Sequence, residues 1–133
     1  MWVLPLSAVL TVIGAHTIAD FFCQSQQMAR NKSHDFVALS AHATVYGIIL
    51  FLFAPIIVKT MWPTGNFAYS LWGNMWSWVI LNAGLHFAID AITSRINAYW
   101  VGKDGFARGF FNTVAVDQFI HFTCLFYTLS TMV

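Results

Sequence analysis

The sequence predicts an all-α fold, an integral membrane bundle of four antiparallel helices. Three observations support this class. Hydrophobic residues make up 59% of the 133 residues and charged residues only 8%, a balance far from that of soluble domains. Four stretches are apolar over about 20 residues, the length at which a helix crosses a bilayer. The connections between them are short, so consecutive helices pack as antiparallel neighbours in one domain, residues 1–133.

The four predicted helices cover residues 2–23, 36–58, 71–96 and 110–132. The first has Pro5 in its opening turn, where the missing N–H does no harm, and no Lys or Arg precedes it. We therefore interpret it as a membrane helix rather than a secretory signal. Trp62-Pro63-Thr64-Gly65 indicates a turn after the second helix, and Gly102-Lys103-Asp104-Gly105 indicates a break after the third.

The basic residues predict the orientation of the helices, because Lys and Arg near helix ends are retained on the cytoplasmic side. Only Lys59 lies near the second connection. The other five lie in or beside the first and third connections, namely Arg30, Lys32, Arg95, Lys103 and Arg108. We therefore expect the first and third connections inside the cell and both termini outside.

Histidine and aspartate recur four residues apart in the predicted helices. The pairs are His16 and Asp20, His86 and Asp90, the reversed Asp117 and His121, and a softer echo in His42 and Tyr46. Residues four apart share one face of a helix. Counted at about 1.5 Å per residue, the His and Asp residues lie roughly 6 to 18 Å from the cytoplasmic surface. We expect them to meet in one layer near the bundle axis.

Ionisable side chains inside a membrane are costly and by default mark a functional site. Imidazole and carboxylate groups are ligands of zinc, iron and manganese. The sequence predicts a divalent metal site, with zinc as first choice and one or two ions, formed by His16, Asp20, His42, His86, Asp90, Asp117 and His121. Two other interpretations stay open, a metal-free polar network that orients the helices and a proton or ion path.

Several polar residues beside this layer are candidate substrate contacts. Gln24 lies one turn beyond a predicted ligand, and so does Tyr46, whose hydroxyl can donate a hydrogen bond. Lys32 and Arg95 lie at the predicted cytoplasmic surface, where they either hold an anionic headgroup or only set the topology. The pattern assigns no catalytic residue.

The blocks AHTIADFFCQSQQMARNK, SAHATVY, LHFAID and VDQFIHF, in this order, resemble the domain-of-unknown-function family 3307, small membrane proteins of bacteria and their phages. The resemblance covers most of the chain. It implies a four-helix protein of the bacterial inner membrane and no particular reaction. It also implies a set of recurrent polar positions, namely His16, Asp20, Gln24, Lys32, His42, His86, Asp90, Asp117, Gln118 and His121. Of these, Gln118 is a further candidate substrate contact.

The leading functional hypothesis is a metal-dependent hydrolase acting on a membrane-associated substrate, because seven metal-competent side chains are expected at one level of the bundle. The His-x-x-x-Asp spacing also shows a local similarity to inner-membrane metal-dependent hydrolases. The second is a non-catalytic, metal-stapled protein that binds or modulates another membrane protein. The third is transport of protons or metal ions. The expected partners are the lipid bilayer, further copies of the chain or another membrane protein. Nucleic acid is not expected, because a net charge of +1 provides no basic surface.

Overall fold

The computed structural model describes residues 3–61 and 69–132, with the side chains of 69–72 and 132 left aside. Every regular element within these residues is helical, so the prediction of an all-α fold is confirmed. The elements are α1 (Leu6–Thr17), a π-helical turn (Ile18–Phe22), α2 (Gln26–Asn31), α3 (Phe36–Met61), α4 (Tyr69–Asp104) and α5 (Arg108–Met132). The predicted turn at Trp62-Pro63-Thr64-Gly65 lies outside the described residues.

The predicted helix 2–23 is divided into an α-helix and a π turn. Helix α1 begins at Leu6 because Pro5 is extended, with ψ 144°, and caps the helix. At Ile18 the helix widens, and the N–H of Cys23 donates to the Ile18 carbonyl at 2.9 Å. A π turn holds one residue more than an α turn and is frequent at functional sites. This widened turn carries Asp20.

The first connection contains a short helix, α2, that the sequence pattern did not predict. Its N-cap is Ser25, whose hydroxyl accepts a hydrogen bond from the N–H of Met28 at 3.2 Å. Serine is favoured at this position because it satisfies an N–H that has no partner within the helix. The C-cap of α2 is Lys32, so the cap geometry fixes where this lysine leaves the helix.

Helix α4 is longer than predicted, because it continues through Gly102-Lys103-Asp104 and does not break there. It ends where Gly105 adopts φ +65°, a left-handed conformation that glycine takes at little cost. Gly109 then lets α5 approach α4 closely. A Cβ atom at Gly109 would lie 2.5 Å from the ring of Trp100.

Helix α3 packs between α1 and α4, α4 packs against α5, and α1 also touches α5. Away from the His and Asp side chains the interior is mainly apolar and includes Val12, Leu50, Ala54, Ile57, Trp78, Val79, Leu125 and Leu129. The indole N–H of Trp78 donates to the Leu125 carbonyl at 3.2 Å, and the Asn82 amide donates to the Thr128 hydroxyl at 2.9 Å. These two bonds join α4 to α5.

Within the described residues two helices are long and apolar enough to cross a membrane, α3 over its full length and α4 over Gly73–Asp104. Their most apolar windows have mean hydropathy 2.1 and 1.2. The segment Leu6–Phe22 is apolar but shorter. Length and composition therefore support two of the four predicted spans.

Candidate metal centre

Seven His and Asp residues meet inside the helix packing, and none of these residues is more than 9% exposed. They come from α1, the π turn, α3, α4 and α5, and they are His16, Asp20, His42, His86, Asp90, Asp117 and His121. Buried charges at this density require partners, because an unpaired ion in a protein interior is strongly disfavoured. The contacts below divide the seven into two ligand groups and one side chain that belongs to neither.

Group A consists of Asp20, His42, His86 and Asp90. One ligand atom from each lies within 4.8 Å of the others. His42 Nε2 lies 3.1 Å from Asp20 Oδ1, 3.2 Å from Asp90 Oδ2 and 2.9 Å from His86 Nε2. Four nitrogen and oxygen donors from the π turn, α3 and α4 are therefore positioned to bind a metal ion. The prediction that buried His and Asp side chains form a metal-competent cluster is confirmed at this level.

Group B consists of Asp90, Asp117 and His121, whose ligand atoms are equally close. His121 Nε2 lies 3.2 Å from Asp90 Oδ1 and 3.3 Å from Asp117 Oδ1. Asp90 thus belongs to both groups, with Oδ2 facing group A and Oδ1 facing group B. This is the geometry of a carboxylate that can bridge two ion positions.

His16, which was also predicted as a ligand, lies in neither group. Its Nδ1 is 3.0 Å from the Tyr46 hydroxyl and its Nε2 is 2.9 Å from Gln118 Oε1. This network assigns the proton to Nε2, which donates to Gln118, while Nδ1 accepts from Tyr46. Both ring nitrogens therefore have hydrogen-bond partners, and these connect His16 to the residues around the cluster.

Gln118 is the residue that connects His16 to the ligands. Its amide N–H₂ donates to Asp20 Oδ2 at 2.8 Å and to Asp117 Oδ2 at 3.1 Å. One side chain therefore fixes a carboxylate of group A and a carboxylate of group B. Hydrogen bonds of this kind orient metal ligands and tune their affinity. The resemblance drew attention to Gln118, but as a substrate contact.

Two further side chains fix the ligands from outside. The ring of Tyr46 stacks on the imidazole of His86, with centroids 3.8 Å apart and an angle of 4° between the planes. The hydroxyl of Thr93 donates to Asp117 Oδ1 at 2.6 Å. Thr93 was not predicted from the sequence. It lies three residues after Asp90, and this spacing places both side chains on one face of the helix.

Lys32 reaches the cluster directly. Its Nζ lies 2.6 Å from Asp90 Oδ2, and only 17% of its side chain is exposed. The amide of Gln24 supports it, since its oxygen accepts from Lys32 Nζ at 3.2 Å while its nitrogen donates to the Asp20 carbonyl at 3.0 Å. The ammonium offsets one of the three carboxylate charges. One divalent ion or two protonated imidazoles would balance the other two.

Arg95 is placed away from this arrangement. Its side chain is exposed, and its guanidinium donates to the carbonyl of Ala91 in the same helix. In contrast, Asp20, Asp117 and Gln118 line a cavity of about 600 Å³, together with Gln24 and Lys32. Four of the five predicted substrate contacts therefore lie on or beside the cluster, and Arg95 does not.

A family model described as "Protein of unknown function (DUF3307)" matches residues 8–133, a range that contains both ligand groups. No curated protein and no solved structure matches the chain.

Proposed function

Because the chain belongs to the DUF3307 family of proteins of unknown function, we propose its role from its own residues: a membrane metalloprotein that hydrolyses a membrane-associated substrate. The observation that carries this proposal is Asp90, whose two carboxylate oxygens face two separate groups of ligands. A shared carboxylate between two ion positions is the arrangement used by two-metal hydrolytic sites.

A position in the membrane is supported by the outward face of the helices. Large apolar side chains are exposed on all four long helices, for example Leu10, Leu52, Ile80 and Phe119. Such side chains suit contact with lipid better than contact with water. We propose that α1, α3, α4 and α5 form an antiparallel four-helix bundle with both termini outside. The positive-inside rule then places the cluster near the cytoplasmic face of a bacterial inner membrane.

The ligand numbers of the two groups favour different roles for the two ion positions. Group A offers four protein ligands, which fill a tetrahedral zinc site, whereas group B offers three and leaves a position open. Asp117 of group B also lines the cavity. We therefore assign the substrate-facing role to group B and a more structural role to group A. Zinc fits both donor sets, and iron and manganese remain alternatives.

The chain's own residues would then prepare hydrolysis. Asp90, Asp117 and His121 would hold a divalent ion, which would supply Lewis-acid chemistry at a phosphoryl or carbonyl oxygen. Thr93 and Gln118 hold the Asp117 carboxylate from both of its oxygens, so its direction toward the ion position is fixed.

A second candidate function is favoured by group A alone. Its four ligands join the π turn, α3 and α4, so an ion there would staple these elements without any reaction. In this case the protein would bind or modulate another membrane protein. Transport ranks last, because the interior beyond the cluster is mainly apolar, with Leu50, Trp78 and Leu125 fully or almost fully buried.

Element analysis of the full-length protein, purified in detergent without chelators, tests the metal centre. We expect at least one ion per chain, and a lower count in Asp20→Asn. Asp104→Asn is the matched control, because Asp104 is exposed at the end of α4. Less than about a tenth of an ion per chain in normally folded protein would refute the metal centre.

Activity tests the hydrolase half. The metal-loaded protein is incubated with vesicles of defined lipids, and the products are identified by mass spectrometry. We expect turnover that falls at least about 100-fold in Asp117→Asn, since this change removes a ligand from the open group. A protein that holds its metal, loses thermal stability on chelation and turns over no lipid ester would support the staple instead.

A further inference from the structure

The cavity in front of the cluster is large enough for a small molecule. It lies where α2 and the π turn meet the adjoining ends of α4 and α5. Its volume of about 600 Å³ falls within the usual range of ligand sites, about 300–1,000 Å³. Asp20, Gln118 and Asp117 form the part of its lining that belongs to the cluster. A molecule in the cavity would therefore reach both ligand groups.

One edge of the cavity is basic. Arg30 and Lys32 both line it, from α2 and from the C-cap of α2. Lys32 is already paired with Asp90, but Arg30 forms no ion pair with any carboxylate in the part of the chain that the structure describes. A guanidinium binds phosphate through two parallel hydrogen bonds. Arg30 is exposed, so its guanidinium is accessible to an anion from outside the chain.

The α4 side of the cavity carries polar atoms without partners. Ser94 Oγ and Asn97 Oδ1 are buried and have no hydrogen-bond partner among the described residues, and both residues line the cavity. Ser94 is only 7% exposed. Buried polar groups without a partner are rare in folded proteins, because each loses its bonds to water. A ligand with an oxygen acceptor for Ser94 and a hydroxyl donor for Asn97 would satisfy both.

The remaining wall is apolar. Phe21, Val101, Phe106, Phe110 and Val114 line it, and 54% of Phe21 and 70% of Phe106 are exposed. A free phosphate or a small polar phosphate ester would leave this wall without a contact. A hydrocarbon chain next to the phosphate would cover it. The basic edge and the apolar wall together indicate an amphiphilic ligand with an anionic group.

We propose that this cavity binds the headgroup of an anionic glycerophospholipid, with the phosphate on Arg30, a headgroup hydroxyl at Ser94 and Asn97, and the start of an acyl chain along Phe106 and Phe110. That this lipid is also the substrate rests on the proposed function. Hydrolysis would break one P–O ester bond of the phosphodiester, adding the hydroxyl of water to phosphorus and its proton to the leaving alcohol oxygen.

Binding is measured with the full-length protein in a non-ionic detergent, using phosphatidylglycerol that carries a fluorescent acyl chain. We expect saturable binding that weakens at least about tenfold in Arg30→Gln, because the charge-assisted hydrogen bonds of the guanidinium are lost. Val114→Trp, which fills the apolar wall, should weaken it at least as much. Lys59→Gln is the matched control, because Lys59 is exposed near the end of α3 and does not line the cavity.

The outcomes separate the possible ligands. Equal binding of phosphatidylcholine with the same fluorescent chain would overturn the role of the anionic headgroup. Competition by glycerol 3-phosphate at the same concentration as the lipid would overturn the role of the acyl chain. Unchanged binding in both Arg30→Gln and Val114→Trp would overturn the cavity itself. Protein purified without chelators could bind the lipid specifically and yet contain no metal. The binding would then support the cavity, and the absence of metal would refute the metal centre.

Discussion

Replacing Asp90 by asparagine tests the proposal that its carboxylate bridges two ion positions. The substitution keeps the size of the side chain and removes the charge that both ligand groups share. Asp90 Oδ1 and Oδ2 lie 3.2 Å from His121 Nε2 and from His42 Nε2, so the charge is lost from both groups at once. We therefore expect Asp90→Asn to lose both ions, whereas Asp117→Asn loses only the ion of group B.

The size of the effect follows from ligand linkage. A free metal concentration 100 times the dissociation constant stabilises the folded protein by about 2.7 kcal/mol. For a chain of this length that corresponds to roughly 10 °C in the unfolding midpoint. Outer hydrogen-bond partners of metal ligands alone change affinity about 10- to 100-fold, so losing a ligand costs about 100-fold or more. At the same metal concentration the stabilisation would then fall to about 0.4 kcal/mol.

The assay is thermal unfolding in detergent with and without a strong chelator. We expect chelation to lower the midpoint of the unchanged protein by roughly 10 °C for each of the two ions and to leave that of Asp90→Asn almost unaltered. Asp104→Asn should behave like the unchanged protein, because Asp104 is exposed and outside both groups. If Asp90→Asn keeps the full response to chelation, Asp90 does not bridge two ions and the reasoning fails.

Two other substitutions test packing and ligand orientation. Gly109→Ala should lower the free energy of unfolding by about 1–3 kcal/mol, because its methyl group would collide with the Trp100 ring. Gly84→Ala is the control, because its methyl group would enter open space. The thermal unfolding midpoints of the two variants are compared. Gln118→Leu should weaken metal binding about 10- to 100-fold, because two carboxylates lose a hydrogen-bond donor. Competition with a chromophoric chelator measures the affinity. Gln27→Leu is the control and should leave the affinity unchanged, because Gln27 is exposed.

The cluster was predictable because its signal is periodic. His86 and Asp90 are four residues apart, as are Asp117 and His121, so each pair shares one helix face. Ionisable side chains in apolar segments are costly to expose to lipid, so such a face is expected to point into the interior. The helical class followed from the same apolar segments. Repetition across helices therefore predicted which kinds of side chain come together and that they can hold a metal.

The division of labour within the cluster was not predictable in this way. His16 shares the periodic spacing of the other histidines, but whether it ligates depends on Tyr46 and Gln118, which lie 30 and 102 residues further along the chain. Gln118 is adjacent to Asp117, so it stands off the periodic stripe. The end of α4 was missed because Gly102 is tolerated in an exposed helical turn, and only the left-handed Gly105 stops the helix.

The π turn at Ile18–Phe22 also determines how α1 is phased relative to the rest of the chain. Each residue of an α-helix turns the chain by about 100°, so a one-residue deletion that restored α-helical pitch here would rotate all of α1 by that angle against the elements that follow. The imidazole of His16 would leave the Tyr46 hydroxyl while α1 itself stayed intact. The extra backbone residue, and not its side chain, therefore sets the rotation of α1 about its axis relative to the cluster.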